Sequence, residues 1–147
     1  MSQGWLGKID RTNALIAVGV WLVTMIVYTL TRAATVSFWD CGEFIACSHI
    51  LGIPHPPGTP LYILVGRLAS LIPISADIAA RTNLLSGFCS AFTATFAYLI
   101  IARLLNAWFE QSERGYSRFL AMDGGVTGAL FVAWSLTNWN NSVETEV

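Results

Sequence analysis

Long apolar runs alternate with short polar stretches along this chain. Residues 13–30 contain no charged side chain, and two further apolar runs cover residues 82–105 and 119–139. A helix of about 18 residues is about 27 Å long, close to the ~30 Å hydrocarbon core of a bilayer. The pattern therefore predicts an all-α integral membrane protein with about three transmembrane helices at these positions.

The polar stretch between the first two spans, residues 31–81, predicts a loop that contains two short helices. The first covers residues 40–51 and ends at Gly52. The second covers residues 61–72, and at about 12 residues, or ~18 Å, it is too short to cross the membrane. We therefore expect both helices to lie at the membrane surface.

The distribution of positive charge predicts the orientation of the spans. Lys8 and Arg11 precede the first span and should hold the N-terminus in the cytoplasm, so that residues 31–81 face outward. If residues 61–72 do not cross, Arg118 also lies in the cytoplasm, as the positive-inside rule favours. The alternative for residues 13–30 is a cleaved signal peptide, although the run is longer than the usual ~7–15-residue core.

The composition agrees with a membrane protein. The chain is 54% hydrophobic and 12% charged, with a mean hydropathy of +0.58, whereas soluble proteins carry about 25% charged residues. The net charge of -1 argues against a nucleic-acid partner. Cys41 and Cys47 would face different sides of one helix, so we expect free thiols. We treat residues 1–147 as one membrane domain, expected to be the N-terminal piece of a longer protein.

Asp40 and Glu43 are the first candidates for chemistry. Three residues apart, they share one face of a helix, and a carboxylate at the outer membrane surface can accept a proton from an attacking hydroxyl. The alternative is a capping box, with Asp40 as N-cap and Glu43 reaching back to it. Trp39 beside the pair is either a substrate contact or part of an ordinary aromatic belt.

Two histidines and two arginines extend this candidate site. His49 and His55 could join the carboxylates around a divalent cation, but their spacing matches no common metal motif, so we assign no metal site and keep the cation as an alternative. Arg67 and Arg81 could bind a lipid phosphate bidentately. The alternative for both arginines is simple snorkelling to lipid headgroups.

Four stretches of the chain resemble a known family. They read FWDCGEFIA, LGIPHPPGTPLYILVGRLASLIP, ARTNLLSGFCSA and the final ETEV. Together they look like the N-terminus of a large family of multi-span bacterial proteins, which is related to the vertebrate transmembrane O-mannosyltransferase that modifies plexin-type receptor domains. A weaker similarity links the chain to the GT-C glycosyltransferase superfamily.

The resemblance implies the N-terminal portion of a GT-C-like bundle with more spans than three, in the inner membrane of a bacterium. The implied activity moves a sugar from a polyprenyl-phosphate donor to a protein or glycan acceptor hydroxyl. It implies Asp40 as the base, with Glu43 as the alternative, and Glu144 or Glu146 as a second acidic residue. His55 belongs to the signature turn and is a candidate substrate contact.

Two other classes of function stay open from the sequence. A transporter or channel would need carboxylates deep inside the spans, and none of the predicted spans has one near its middle. A non-catalytic assembly subunit would use Gly124 and Gly128, whose spacing is typical of helix packing. If the chain is a piece of a transferase, we expect that piece alone to be inactive.

Overall fold

The computed structural model describes residues 11–37, 40–56, 59–110 and 118–145. These residues form six α-helices and no strand, which confirms the all-α prediction. The helices are α1 (Arg11–Thr31), α2 (Cys41–Ile50), α3 (Pro60–Leu71), α4 (Ile78–Glu110), α5 (Arg118–Ala133) and α6 (Leu136–Val143).

Two helices are long and apolar enough to cross a membrane, and a bent pair makes a third crossing if it counts as one span. These are α1, α4 and the pair α5 and α6. With 33 residues, α4 is about 50 Å long, so it exceeds the ~30 Å core and extends beyond the predicted 82–105 span at both ends. The chain is thus an integral membrane protein.

Helix α4 is the centre of the fold, since it contacts each of the other five helices. Its interface with α1 and α5 consists largely of small residues, which let helix backbones approach closely. Gly125 of α5 shows how close this approach is, because a Cβ added there would lie 2.9 Å from the Cβ of Ala102. The fully or almost fully buried alanines of this interface are Ala91, Ala94, Ala102, Ala129 and Ala133.

The third predicted span is interrupted. The sequence predicts one helix over residues 119–139, whereas α5 ends at Ala133 and α6 leaves at 64° to it. The break is stabilised by side chains, because the hydroxyl of Tyr28 donates to the Ala133 carbonyl at 2.8 Å and the Asn138 amide donates to it at 3.3 Å. Freed backbone groups inside a membrane protein need such partners.

The two predicted surface helices are present with ends shifted by about one residue. At 12 residues, α3 is too short to span a bilayer, and Leu61, Leu64 and Leu68 on it are exposed. It packs closely on α2, because a Cβ added at Gly66 would lie 2.4 Å from the Ser48 hydroxyl. The placement of α3 along the membrane surface stays a prediction.

Helix α2 is attached to the first turns of α4. Cys41 and Ile45 of α2 form a buried cluster with Ala79 of α4. Glu110 ends the same long helix at its other end. The layer formed by α2 and α3, which we call the α2–α3 layer, therefore lies at the N-terminal end of α4, about 50 Å along the helix from Glu110.

Candidate functional site

Three side chains predicted from the sequence lie together beside the N-terminus of α2. The Nδ1 atom of His55 is 2.7 Å from Oε2 of Glu43, and its Nε2 atom is 3.9 Å from Oδ2 of Asp40. The imidazole thus lies between two carboxylates. All three side chains reach solvent, with exposed fractions of 61% for Asp40, 50% for His55 and 38% for Glu43.

The turn after α2 brings His55 back to the start of that helix. Leu51 adopts a left-handed conformation with φ of 56°, and Gly52 donates its N–H to the carbonyl of Cys47, as in common helix C-terminal motifs. The chain then reverses, and the backbone N–H of His55 donates to Oε1 of Glu43 at 2.7 Å. Glu43 therefore accepts hydrogen bonds from both the backbone and the ring of one residue.

The capping-box alternative for Asp40 and Glu43 is wrong. Asp40 is at the N-cap position, but within the described part of the chain its side chain makes no capping hydrogen bond to α2. The Glu43 carboxylate is bound to His55 instead of reaching back to Asp40. The Asp40 carboxylate is therefore not used as a cap among the described residues.

The contact between His55 and Glu43 favours the charged form of each residue. Hydrogen bonds from the ring and the backbone of His55 hold the pKa of the Glu43 carboxyl below its ordinary value. The hydrogen bond to Glu43, together with the attraction of its negative charge, raises the pKa of the His55 imidazole. Both carboxylates therefore favour the imidazolium form of the ring that lies between them.

The same three residues are the ones that could hold a metal ion. One ligand atom from each of Asp40, Glu43 and His55 can be chosen so that all three lie within 4.8 Å of one another. Carboxylate oxygen and imidazole nitrogen suit several divalent metals. His49, which the sequence offered as a further ligand, is not in this group, and its Nδ1 atom is buried without a hydrogen-bond partner among the described residues.

The C-terminal segment after α6 returns to the start of α2. Oε2 of Glu144 lies 3.8 Å from the Cys41 sulfur, next in sequence to Asp40. The Ala33 N–H donates to the Val143 carbonyl at 2.9 Å, which connects this segment to the end of α1. Glu146, the other candidate for the second acidic residue, and Trp39, a candidate substrate contact, lie outside the described residues.

Arg67 and Arg81 both donate to backbone carbonyls near the site. Nη1 of Arg67 donates to the carbonyl of His49, in the last turn of α2. Nε and Nη1 of Arg81 donate to the carbonyls of Ser75 and Ser70, each at 2.7 Å. Both arginines therefore stabilise the α2–α3 layer, and their predicted phosphate contact stays a prediction.

Asn83 is an important residue that the sequence analysis missed. It is 1% exposed, and its amide nitrogen donates to the carbonyls of Ala33 at 3.0 Å and Thr35 at 3.2 Å. Its amide oxygen accepts from the hydroxyl of Thr145 at 2.6 Å. Asn83 thus connects α4 to the chain leaving α1 and to the segment that carries Glu144. The signal available in the sequence was an amide side chain among small and apolar residues. Such an amide requires hydrogen-bond partners when it is buried.

A groove of about 370 Å³ lies between α3 and α4, near the site. Val65 and Leu85 contribute apolar walls, and Tyr62 and Ser86 contribute hydroxyl groups. The ring of Tyr62 packs on Phe44 with centroids 5.9 Å apart, and Phe44 packs on the His55 ring at 6.0 Å. One aromatic ring therefore separates the groove from the group of three side chains.

Comparison with known proteins gives a consistent result. The sequence model of one family, described as the protein O-mannosyl-transferase TMEM260 N-terminal domain, matches residues 40–147. A Mus musculus protein named protein O-mannosyl-transferase TMEM260 is 30% identical over 131 residues, which are 89% of this chain and 17% of the mouse protein. A Dictyostelium discoideum protein of the same name is 32% identical over 83 residues, which are 55% of this chain and 10% of that protein.

The chain thus spans less than a fifth of the length of these curated relatives. No solved structure matches it.

Proposed function

Because the chain belongs to the protein O-mannosyl-transferase TMEM260 N-terminal domain family, we propose that it supplies the acidic part of the active site of a membrane O-mannosyltransferase. The sugar comes from a polyprenyl-phosphate donor, and the acceptor is a hydroxyl of a protein or glycan. The reaction takes place on the outer face of the membrane, with the N-terminus of the chain in the cytoplasm. For a bacterial protein, this membrane is the inner membrane.

In the proposed reaction, Asp40 is the base. The acceptor hydroxyl gives its proton to Asp40 as its oxygen attacks the anomeric carbon of the sugar. The bond between that carbon and the phosphate oxygen breaks, and the lipid phosphate leaves with the electron pair. Phosphate is a good leaving group, so the step needs charge stabilisation more than a second proton donor.

The observation that carries this proposal is the exposure of the Asp40 carboxylate and its position beside His55. It is 61% exposed, lies beside the ring of His55, and is not used to cap α2. Next to it in sequence, Cys41 contacts Glu144, the proposed second acidic residue. A base needs an accessible carboxylate, and the exposure of Asp40 supports this role.

Arg67 and Arg81 are the proposed phosphate contacts. A guanidinium group carries five N–H donors in a rigid fork. Arg67 donates to one backbone carbonyl and Arg81 to two, and these bonds hold the side chains against α2 and α3. We assign the leaving phosphate to their other N–H groups, which would spread its negative charge.

The groove between α3 and α4 suits the hydrocarbon part of the donor. Its apolar walls come from helices at the membrane surface and in the membrane, and its hydroxyl end approaches the site through Tyr62 and Phe44. A donor whose sugar lies at Asp40 would place its first apolar units in this groove.

The test is a transfer assay in the full-length protein. We expect Asp40→Asn to lower the transfer of radiolabelled mannose from the lipid carrier by about 10²–10⁴-fold, the usual contribution of a general base. Asp77→Asn is the matched control, because Asp77 only accepts the Ala79 N–H near the start of α4 and asparagine caps helices equally well. Asp40→Asn with full transfer would remove Asp40 from the role of base. Wild-type protein without transfer would instead favour an assembly subunit or a transporter.

A further inference from the structure

We propose that His55 is a positioning residue: Glu43 holds the Nδ1 side of its ring, and the Nε2 side orients the carboxylate of Asp40 for proton abstraction. This inference rests on the proposed function, because it takes Asp40 as the base. It also gives the two carboxylates different roles: Asp40 contacts the substrate, and Glu43 holds His55.

The contacts of His55 fix its ring from three directions. Glu43 accepts from the backbone N–H and lies against Nδ1, both at 2.7 Å. The ring also packs against Phe44, with centroids 6.0 Å apart. With these constraints the Nε2 atom faces Asp40 at 3.9 Å. Catalytic hydrogen bonds are often long before substrate binds and shorten in the complex.

The difference between the two carboxylates follows from their partners. Glu43 is held by two atoms of one residue, so it cannot turn towards a substrate without breaking two hydrogen bonds. Asp40 is the more exposed of the two, and among the described residues the His55 ring nitrogen lies at ion-pair distance from its carboxylate. The less constrained and more exposed carboxylate is the one that an acceptor hydroxyl can reach.

The protonation of His55 is set by the groups around it. Asp40 and Glu43 face the ring from α2 and its N-terminal flank, and both favour the imidazolium. When both ring nitrogens carry protons, Nδ1 donates to Glu43, and the N–H of Nε2 lies at ion-pair distance from Asp40. Other charged or titratable groups near this end of the fold contact other partners. Arg67 donates to the His49 carbonyl, and Arg81 donates to the Ser70 and Ser75 carbonyls. Tyr62 packs on the Phe44 ring, and Glu144 contacts Cys41.

A pH–rate profile distinguishes positioning from a merely structural role. In the wild-type protein, kcat should fall as the pH rises through the pKa of His55, because the ring then loses a proton and with it the positive charge that attracts the Asp40 carboxylate. Glu43→Gln removes the negative charge that raises this pKa. The alkaline limb of the profile should therefore shift to lower pH in this isosteric variant.

His55→Gln tests the ring itself. We expect kcat to fall roughly tenfold to a hundredfold, the cost of a misplaced catalytic group, with the KM for the lipid-linked donor unchanged and the alkaline limb abolished. His49→Gln is the matched control, because the carbonyl of His49 that accepts from Arg67 belongs to the backbone. Its profile should match that of the wild type.

The outcomes separate this inference from the proposed function. Full kcat in His55→Gln, or an unshifted alkaline limb in Glu43→Gln, would overturn the positioning role. If His55→Gln fails to fold, the limb in Glu43→Gln decides alone. An inactive Asp40→Asn combined with a wild-type profile in Glu43→Gln would leave Asp40 as the base and reject only the role of His55.

Discussion

The bundle of α1, α4 and α5 and the α2–α3 layer are stabilised by different means. In the bundle, small side chains let the helices touch, and the buried polar side chains Thr24 and Thr95 donate to carbonyls of their own helices. In the α2–α3 layer, side chains donate to backbone carbonyls, as Arg67 does to His49 and Arg81 does to Ser70. Close packing of small residues thus predominates in the first region, whereas the second adds arginine hydrogen bonds to backbone carbonyls.

The difference explains where chemistry can take place. A close-packed apolar interface has no room for a substrate, and a charge buried in it is costly. A layer fixed by hydrogen bonds can leave Asp40 and His55 open to solvent and still hold them in place. In the proposed function, the bundle therefore serves as the support, and the α2–α3 layer carries the proposed reacting groups.

The largest effect that we expect comes from enlarging a side chain in the bundle. Gly125→Leu would force a side chain into the space of the Ala102 Cβ, 2.9 Å from an added Cβ, and against the Tyr98 ring. We expect a loss of roughly 3 kcal/mol, the upper end of common overpacking costs, measured as thermal unfolding of the full-length protein in detergent.

Gly19→Leu is the matched control for this substitution. Nothing in the described ranges lies within 4 Å of a Cβ added at Gly19, so we expect its unfolding temperature to stay within a few degrees of the wild type. Equal stability of the Gly125 and Gly19 variants would contradict steric fit as the basis of the bundle.

A smaller effect should follow from removing the amide that connects the two regions. Asn83→Leu leaves the carbonyls of Ala33 and Thr35 and the hydroxyl of Thr145 without their partner. Leaving a buried polar group unsatisfied costs about 1–3 kcal/mol. We expect a loss in that range, together with reduced mannose transfer, since Thr145 is next to Glu144.

Asn106→Leu, at the far end of the same helix, is the control for Asn83→Leu. It should leave transfer unchanged, because Asn106 is remote from the α2–α3 layer. Identical behaviour of the two variants would show that the connection through Asn83 has no influence on the site.

The smallest effect concerns the pH dependence of the contact between His55 and Glu43. Because the pKa of Glu43 is lowered, its contribution is present above the ordinary value of 4.5 and is lost as the pH falls through the lowered pKa. Because the pKa of His55 is raised, its contribution is present below the ordinary value of 6.5 and is lost as the pH rises through the raised pKa. The contact should therefore be intact throughout the interval from 4.5 to 6.5 and should persist beyond both ends.

Hydrogen exchange measures this contact, because the amide of His55 donates to Glu43. After correction for the intrinsic pH dependence of exchange, protection of this amide should be highest between the two values and should fall on both sides. Glu43→Gln should give a flat dependence. A wild-type protein with equally flat protection would show that this contact does not form.

The sequence was sufficient for the elements that depend on local patterns. α1 and α4 are long apolar segments. The C-terminal end of α2 follows from Gly52, and the start of α3 follows from Pro60. The break after Ala133 was not predictable in this way, because it depends on the hydroxyl of Tyr28, 105 residues away in sequence.

The candidate site was predictable in composition but not in arrangement. Asp40, Glu43 and His55 are recognisable as unusual polar residues in an apolar chain. Their contacts depend on the left-handed conformation of Leu51, a residue that rarely adopts positive φ. No local pattern predicts that the chain reverses there and returns His55 to Glu43.

The most direct test of this layout is the labelling of single cysteines in the full-length protein, with Cys41, Cys47 and Cys89 replaced by alanine. Ile53→Cys reports on the α2–α3 layer, where Ile53 is 91% exposed, and Glu110→Cys reports on the far end of α4. We predict that a membrane-impermeant maleimide labels position 53 in intact cells and labels position 110 only after permeabilisation. Labelling of both positions from the same side would contradict the placement of the acidic site and Glu110 on opposite faces of the membrane.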